Sequence, residues 1–240
     1  QKWMECIEEC VKYAEKKGMK MYLYDEDRWP SGFAGGVVPR KKENRSKFLK
    51  IWKKGKKWNK KVVNGEKLYW FNGLTYIDTL NKISVADFIN STYEKYVQLL
   101  KEYIPDVVPA IFTDEPNYLN SRSLRNINNK KNYYFPWTKN FRKIFKEKYG
   151  YDIYEKIDLL IKEKEDFEKV RYHYSRLIAE LFIKNYGEQI FNFCENNKLS
   201  LIGHYLAEDK IETQVFSIGD AMSLYEYMHW PGVDFLGRTI

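Results

Sequence analysis

Short apolar runs alternate with amphipathic helical segments along this 240-residue chain, and several of the runs are followed by acidic residues. The runs are almost continuously hydrophobic, which is typical of strands buried on both faces of a parallel sheet. The alternation of strand and helix therefore predicts an α/β fold. The predicted strands lie near residues 20–25, 74–80, 108–114, 199–204 and 232–236.

Two architectures fit this alternation, an open doubly wound sheet and a (β/α)8 TIM-type barrel. No GxGxxG or GxxxxGK(S/T) motif follows a predicted strand, which weakens the nucleotide-binding alternative. Polar residues instead follow the carboxyl ends of the strands, where barrels keep their active sites. They are Asp25 to Asp27, Asp78, Asp114, Glu115, His204, Glu208 and Asp234. We therefore predict a (β/α)8 barrel, incomplete because only about strands 2 to 6 can be counted.

The ends of the chain and its cysteines give further expectations. The sequence begins at Gln1, inside a predicted helix and without an initiator methionine, so we expect a fragment of a longer parent chain or a processed product. No run of about 18 apolar residues is present, so no membrane span is predicted. Cys6, Cys10 and Cys194 are odd in number and lack the spacing of a disulfide framework or a zinc site, which favours a reducing compartment such as the cytoplasm.

The net charge of +8 comes from one basic segment. Residues 40–61 carry a local charge of +11, whereas the rest of the chain carries −3. The segment belongs to an insert at about 37–73, in which Gly55 and Asn64-Gly65 indicate hairpin turns. A basic aromatic hairpin is able to bind nucleic acid, but a lysine-rich solvated loop is the interpretation we favour. We expect residues 40–61 to be exposed and distant from the strand ends.

The first polar cluster, in the stretch YDEDRWPSGFAGG, suggests a carbohydrate site. Asp25 and Asp27 offer carboxylates that form charge-assisted hydrogen bonds with sugar hydroxyls. The indole of Trp29 offers a face for the apolar side of a pyranose ring, and we expect Tyr24 beside it. In the alternative interpretation, one of the acids only caps the loop and Trp29 packs beneath it.

Two further clusters contain candidate catalytic carboxylates. In IFTDEPN, the alternation of a strand places Glu115 and Asp114 on opposite faces, so that one faces the barrel axis and the other anchors the loop. We take Glu115 as the reactive one. In GHYLAED, Glu208 follows the strand that ends at His204. Two carboxyl groups in different environments are what glycoside hydrolysis requires, although any single acid is more often a surface charge.

Three ring-bearing side chains near these acids, two histidines and a tryptophan, have two interpretations each. His204 is either a sugar contact or a buried structural imidazole, and the same holds for His229. Trp230, which precedes Pro231-Gly232, either lines the pocket or packs against its wall.

Several motifs occur in a fixed order and together resemble a known family. They are LYDEDRWPSGFAGG, YIDTLN, IFTDEPNY, VRYHYSRLIAELF, GHYLAED and MHWPGVDFLG. This series resembles the catalytic barrel of bacterial glycoside hydrolases of the family 106 type, known for α-L-rhamnosidases. The resemblance covers most of the chain and implies that barrel segments or accessory domains of a longer parent chain are missing here.

The resemblance also implies roles for individual residues. Glu115 resembles the general acid and Glu208 the general base of an inverting hydrolysis, which we favour over a retaining one. The DEP motif is also similar to the Asn-Glu-Pro of many barrel glycosidases, but Asp114 replaces the Asn. The residues that we expect to bind the carbohydrate substrate are Tyr24, Asp25, Asp27, Trp29, Asp114, His204 and Trp230. Calcium is the candidate cofactor that the resemblance implies.

A second class of function stays open at this point. The chain would then be a non-catalytic module that binds carbohydrate or nucleic acid through its basic insert. The presence of both Glu115 and Glu208 favours the enzyme, and we do not expect nucleic acid as a partner.

Overall fold

A computed structural model describes residues 2–119 and 132–234, which form an α/β fold. In chain order, the strands are β1 (Leu23–Tyr24), β2 (Lys47–Lys54), β3 (Lys57–Asn64), β4 (Ala110–Asp114), β5 (Asn132–Trp137), β6 (Ser200–His204) and β7 (Trp230–Pro231). The central sheet is parallel and has the strand order β1-β4-β6-β7. A second, antiparallel sheet has the order β3-β2-β5.

Helices alternate with the strands of the parallel sheet along the chain. They are α1 (Lys2–Lys16), α2 (Val37–Arg40), α3 (Lys82–Ser91), α4 (Tyr93–Leu100), α5 (Phe141–Tyr149), α6 (Phe167–Phe182), α7 (Gln189–Asn196), α8 (Ile211–Ser217) and α9 (Ala221–Tyr225). A π-helical segment, Ile183–Glu188, joins α6 to α7. In the part of the chain that the structure describes, none of these helices combines the length and the apolar character needed to cross a bilayer.

The parallel α/β sheet predicted from the sequence is confirmed, but the described residues do not close it into a barrel. Its strands are neighbours in the order in which they occur along the chain, without the reversal that marks a doubly wound sheet. The ring of Tyr22, beside edge strand β1, lies 6.2 Å from the ring of Trp230 in the opposite edge strand. Side chains from the two edges therefore meet over one face, which makes that face concave.

The prediction of a strand at 74–80 is wrong. Leu23 of β1 pairs directly with Ile111 of β4, which leaves no place for a strand between them. The segment is buried instead beside the loop that precedes β2, where Ile77 forms an isolated antiparallel bridge with Arg45. The last predicted strand, at 232–236, is misplaced: β7 spans Trp230–Pro231 and residues 232–234 are not in a strand, while residues 235–240 lie outside the described part of the chain.

The basic segment folds as a hairpin, β2 and β3, whose strand β2 also pairs with β5. Leu49 and Ile51 on one of its faces are buried in the hydrophobic core, and Phe48 is buried as well. The expectation that residues 40–61 are simply exposed is therefore wrong for β2. The short apolar stretch FLKIW supplies enough hydrophobic surface to anchor the strand.

The two faces of the parallel sheet differ in their surroundings. Ile111 and Thr113 of β4 are fully buried, and the Thr113 hydroxyl lies 3.1 Å from the hydroxyl of Tyr186 in the helical layer. Phe112 and Asp114, which alternate with them, are only partly buried. The concave face therefore carries Phe112 and Asp114, and the helices cover the other face.

Candidate functional site

Polar side chains from three parallel strands converge at the carboxyl end of the sheet. Asp114 of β4 and His204 of β6 are register partners, and His204 Nε2 lies 3.2 Å from Asp114 Oδ1. Tyr24, at the end of β1, donates its hydroxyl to Asp114 Oδ2 at 2.6 Å. These three residues define what we call the mouth of the sheet.

Glu115 also lies at the mouth, directly after Asp114, the last residue of β4. Its φ of 47° falls in the left-handed region, and its backbone N–H donates to the carbonyl of His204 at 3.1 Å. This turn breaks the strand alternation, so Asp114 and Glu115 both reach the mouth and neither is only a loop anchor. Trp29 donates its indole N–H to Glu115 Oε2.

The environment of Glu115 favours its protonated form. Burial of the carboxyl raises its pKa above the ordinary value. The hydrogen bond from Trp29 and the charge of His204 act in the opposite direction but do not cancel the effect of burial. A carboxyl group that holds its proton longer than usual is suited to general acid catalysis.

Glu208 is held rigidly in the loop that follows β6. Its Oε2 accepts the backbone N–H of Tyr205 at 2.8 Å and the hydroxyl of Tyr225, and its Oε1 accepts the N–H of Asp234 at 3.0 Å. The side chain is only 7% exposed. Donors on both oxygens fix the orientation of this carboxylate.

His204 lies between the acids at the end of β4, Asp114 and Glu115, and Glu208 in the loop that follows β6. Its Nδ1 is 3.5 Å from Glu208 Oε1 and is buried without a hydrogen-bond partner among the described residues. Burial alone lowers the pKa of His204, but the hydrogen bond to Asp114 and the charges of Glu208 and Asp114 outweigh it and raise the pKa above 6.5. Asp114 shows the reciprocal effect: burial raises its pKa, yet His204 and Tyr24 bring the pKa below the ordinary value.

The structure does not bring Asp25 to the mouth. This carboxylate is completely buried beneath the loop, where it accepts hydrogen bonds from the hydroxyls of Ser31 and Tyr93. Burial raises its pKa to about 6. Its position matches the interpretation of Asp25 as a loop anchor.

Glu26 is a second anchor of this loop, and sequence reasoning missed it. Its carboxylate accepts the backbone N–H groups of Asp27 at 3.0 Å, Ala34 at 2.6 Å and Gly35 at 2.9 Å. Burial raises its pKa to about 8, against the effect of these donors. The signal was present at Gly35, whose positive φ accompanies a backbone amide that points to the Glu26 carboxylate.

Asp27 and Trp29 lie on the exposed side of the loop. Asp27 forms an ion pair with Arg28 at 3.0 Å, and Arg28 in turn contacts Asn72 Oδ1 at 3.2 Å. The indole N–H of Trp70 donates to the carbonyl of Trp29. The end of the basic insert therefore borders the mouth, which the sequence did not predict. Trp29 and Trp70 are 41% and 49% exposed and present ring surface to solvent.

Trp230 lies on the floor of the concave face. The register aligns Tyr24 with Phe112, Phe112 with Ile202, and Ile202 with Trp230, so these side chains form one row across the sheet. His229, in contrast, accepts the N–H of Leu201 at 2.9 Å, which is a structural role.

Asp78 is not at the mouth, contrary to expectation, because residues 74–80 are not a strand of the sheet. It is buried, accepts the Thr138 hydroxyl at 2.8 Å and lies 3.4 Å from Lys47 Nζ. Burial raises its pKa to about 6 although Lys47 and Thr138 oppose the change.

One group of side chains at the mouth has the composition of a metal site. Ligand atoms of Glu115, His204 and Asp234 lie within 4.8 Å of one another. The imidazole nitrogen does not match calcium, which takes oxygen ligands. This group of side chains therefore does not fit calcium, which stays a prediction that rests on the resemblance alone. No step of the proposed reaction depends on a metal.

No protein-family model matches the chain, and no curated protein does either. A solved structure, that of a rhamnosidase from Novosphingobium sp. PP1Y, is similar over 65% of this chain and 14% of that one, with 19% sequence identity and a TM-score of 0.44. The chain thus spans about one seventh of that protein's length. This similarity is too weak to carry an argument about activity.

Proposed function

We propose that this chain carries the acid–base pair of a glycoside hydrolase. The observation that carries the proposal is the position of Glu115 and Glu208, which come from the ends of adjacent strands and both lie beside the imidazole of His204. Their environments differ, since Glu115 is half-buried with a raised pKa whereas Glu208 is fixed by donors on both oxygens. Two carboxyl groups in different environments are the requirement for this chemistry.

In the proposed reaction, Glu115 donates its proton to the glycosidic oxygen as the bond to the anomeric carbon breaks. Glu208 accepts a proton from the water that attacks this carbon from the opposite face. The configuration is inverted, and exchange with solvent returns both carboxyl groups to their starting states. An inverting pair is expected to be separated by about 6.5–9.5 Å, to leave room for the water.

The aromatic side chains around the mouth supply surfaces for the sugar. Trp29 and Trp230 are half-exposed, and Tyr24 positions Asp114 through its hydroxyl. Ring faces pack against the C–H side of a pyranose while carboxylates accept its hydroxyl protons. The motif series described above makes an α-L-rhamnoside the first substrate to test.

The strand order and the concavity of the sheet support a finer proposal about the fold. Parallel strands that follow one another in chain order are the arrangement of a (β/α)8 barrel. We propose that β1, β4, β6 and β7 are consecutive strands of such a barrel in the full-length protein.

Hydrolysis of a panel of aryl glycosides by the full-length protein tests the proposed function. Glu208→Gln should reduce turnover about 10²–10⁴-fold, the usual contribution of a positioned acid or base. Glu147→Gln is the matched control, since Glu147 is an exposed carboxylate of α5 whose ion-pair partner among the described residues is Lys143. Equal turnover of the wild type and Glu208→Gln, or no turnover of any glycoside by the folded wild type, would contradict the proposal.

A further inference from the structure

Ser31 contacts the end of β4, where the loop that follows β1 returns to the parallel sheet. The residue is completely buried. Its backbone N–H donates to the carbonyl of Asp114 at 2.8 Å, and its hydroxyl oxygen accepts the backbone N–H of Asp114 at 2.7 Å. Its carbonyl accepts the hydroxyl of Tyr76, and its own hydroxyl donates to Asp25. Ser31 therefore holds both backbone groups of the last residue of β4.

These contacts continue the ladder between β1 and β4 beyond the end of β1. The N–H of Asp25, directly after β1, donates to the carbonyl of Phe112 at 3.0 Å. Asp114, two residues further along β4, turns its backbone groups to the same side of the strand. The chain has left the sheet by then, and Ser31 takes the place of a strand residue. The backbone of β4 is thus fixed up to the residue before Glu115.

Asp25 sets the direction of the hydrogen bonds at Ser31. An ionised carboxylate only accepts hydrogen bonds, so the Ser31 hydroxyl donates its proton to Asp25. The lone pairs of the same hydroxyl oxygen stay available for the N–H of Asp114. Asp25 is itself completely buried, and its second oxygen accepts the hydroxyl of Tyr93 in α4 at 2.6 Å. The donors thus run from Asp114 through Ser31 to a carboxylate that two hydroxyls fix in place.

The sequence neighbours of Asp25 and Ser31 are the residues that contact the acids of the mouth. Tyr24, which precedes Asp25, donates to the carboxylate of Asp114 at 2.6 Å. Trp29, two residues before Ser31, donates its indole N–H to Glu115. The buried residues of the loop therefore hold the backbone of β4, while its partly exposed residues hold the two carboxyl groups.

We propose that Ser31 is a positioning residue for Glu115: by holding the backbone of Asp114, it fixes the place from which the next residue delivers its proton. The inference rests on the proposed function and adds to it a residue that lies behind the reacting groups. Asp25 acts with Ser31 by fixing the direction of its hydroxyl. A displacement of about 1 Å at a reacting group costs up to about 100-fold in rate, so the loss of this contact is measurable.

The variants Ser31→Ala and Tyr93→Phe separate this role from a role in stability alone. Each variant removes one hydroxyl that donates to Asp25, but only Ser31→Ala also removes the acceptor of the Asp114 N–H. Effects that arise from the environment of Asp25 appear in both variants, so Tyr93→Phe is the matched control. The full-length protein is measured at about pH 8, above the pKa of about 6 to which burial raises Asp25.

Hydrogen exchange followed by mass spectrometry is a readout that does not depend on activity. Overlapping peptides that cover residues 110–117 report the Asp114 amide, and a peptide from residues 170–182 of α6 reports unfolding of the whole domain. Relative to that peptide, the Asp114 amide should exchange about 10-fold faster in Ser31→Ala than in the wild type. Tyr93→Phe should leave the ratio within about twofold of the wild-type value. Equal ratios in the two variants would overturn the inference.

The second readout is kcat for two glycosides of the same sugar. In Ser31→Ala, kcat should fall about 10-fold with an alkyl glycoside and less than about twofold with a nitrophenyl glycoside, whose leaving group departs without protonation. A loss of folded protein lowers both values equally, so their ratio reports the position of Glu115. Tyr93→Phe should leave the ratio unchanged. Equal losses on both substrates in folded Ser31→Ala would reject the role of Ser31 in proton transfer.

A thermal melt shows which variants are folded. If Ser31→Ala does not fold, Ser31→Cys replaces it, because a thiol is close to a hydroxyl in size but is a weak donor and acceptor. Failure of both Ser31 variants to fold would overturn the inference, since Ser31 would then be needed for the fold as a whole.

The two readouts also separate this inference from the proposed function. If the wild type hydrolyses no glycoside, the proposed function is rejected and the role of Ser31 in proton transfer with it, whatever the exchange of the Asp114 amide. If the wild type is active but Ser31→Ala changes neither the exchange ratio nor the ratio of kcat values, only the inference is rejected.

Discussion

His204 Nε2 lies 3.2 Å from Oδ1 of Asp114, its register partner across the ladder that joins β4 to β6. The same imidazole directs Nδ1 towards Glu208 at 3.5 Å. One ring therefore lies between carboxylates that belong to two different strand ends. The charge of this ring links the ionisation of the acids around it.

We predict that His204 titrates above pH 6.5, because the hydrogen bond to Asp114 and the neighbouring carboxylates favour its protonated form in spite of burial. Its contribution to stability is then present below the unfolded-state pKa and is lost as the pH rises through the folded-state pKa. NMR titration of the three histidines measures the midpoint. Asp114→Asn should lower it, whereas Asp106→Asn, at an exposed carboxylate, should not. An unchanged midpoint in Asp114→Asn would contradict the pairing.

Trp29→Phe should raise the pKa of Glu115, because the indole N–H is the donor that holds this pKa down against burial. If Glu115 is the general acid, the alkaline limb of the pH profile of kcat/KM reports its pKa and should move to higher pH. Trp230→Phe, which also replaces a half-exposed indole on the concave face, should leave the limb in place. A limb that shifts equally in both variants would argue against control of Glu115 by Trp29.

Tyr93→Phe should destabilise the fold in a pH-dependent manner. The Tyr93 hydroxyl donates to the buried Asp25 at 2.6 Å, and this bond favours the ionised carboxyl, so its loss raises the folded-state pKa of Asp25 above about 6. The free energy of unfolding should fall by about 1–3 kcal/mol at pH 8. The loss should shrink as the pH falls through the pKa of Asp25. Urea unfolding at several pH values measures it, with Tyr69→Phe, at an almost fully exposed ring, as the control. A loss that is constant with pH would exclude Asp25 as its cause.

Gly203→Ala should be among the most destabilising single changes in the parallel sheet. A Cβ at Gly203 would lie 1.9 Å from the carbonyl oxygen of Thr113, and φ is +133° there. We expect a loss of about 2–4 kcal/mol from overpacking and backbone strain together. Gly150→Ala has a positive φ but open space around it and should cost about 1–2 kcal/mol. Urea unfolding measures the free energy of unfolding of both variants. Equal losses in Gly203→Ala and Gly150→Ala would show that the close approach of Gly203 to Thr113 does not matter.

Strands with a long apolar run could be predicted from the sequence, because such a run indicates a buried strand without knowledge of tertiary contacts. The runs at 108–114 and 199–204 became β4 and β6. The run at 74–80 is equally apolar, yet it is buried outside the sheet, because hydrophobicity reports burial and not hydrogen-bond partners. Only the direct pairing of Leu23 with Ile111 excludes a strand there.

The candidate site was predictable in its position more than in its details. The acids at the strand ends were visible in the sequence, but β1 has only two residues, so alternation could not show that Asp25 faces the helices while Tyr24 faces the mouth. The contacts of Trp70 with Trp29 and of Tyr225 with Glu208 depend on how distant loops pack together. No local pattern reports such contacts.

The proton donor is the centre of this account, and the leaving-group dependence of Glu115→Gln tests it most directly. Turnover by the full-length protein is measured with a nitrophenyl glycoside and with an alkyl glycoside of the same sugar, for the wild type, Glu115→Gln and the control Glu147→Gln. An acidic nitrophenol departs without protonation, so Glu115→Gln should lose little with this substrate. It should lose about 10²–10⁴-fold with the alkyl glycoside. Equal losses on both substrates would show that Glu115 does not donate the proton.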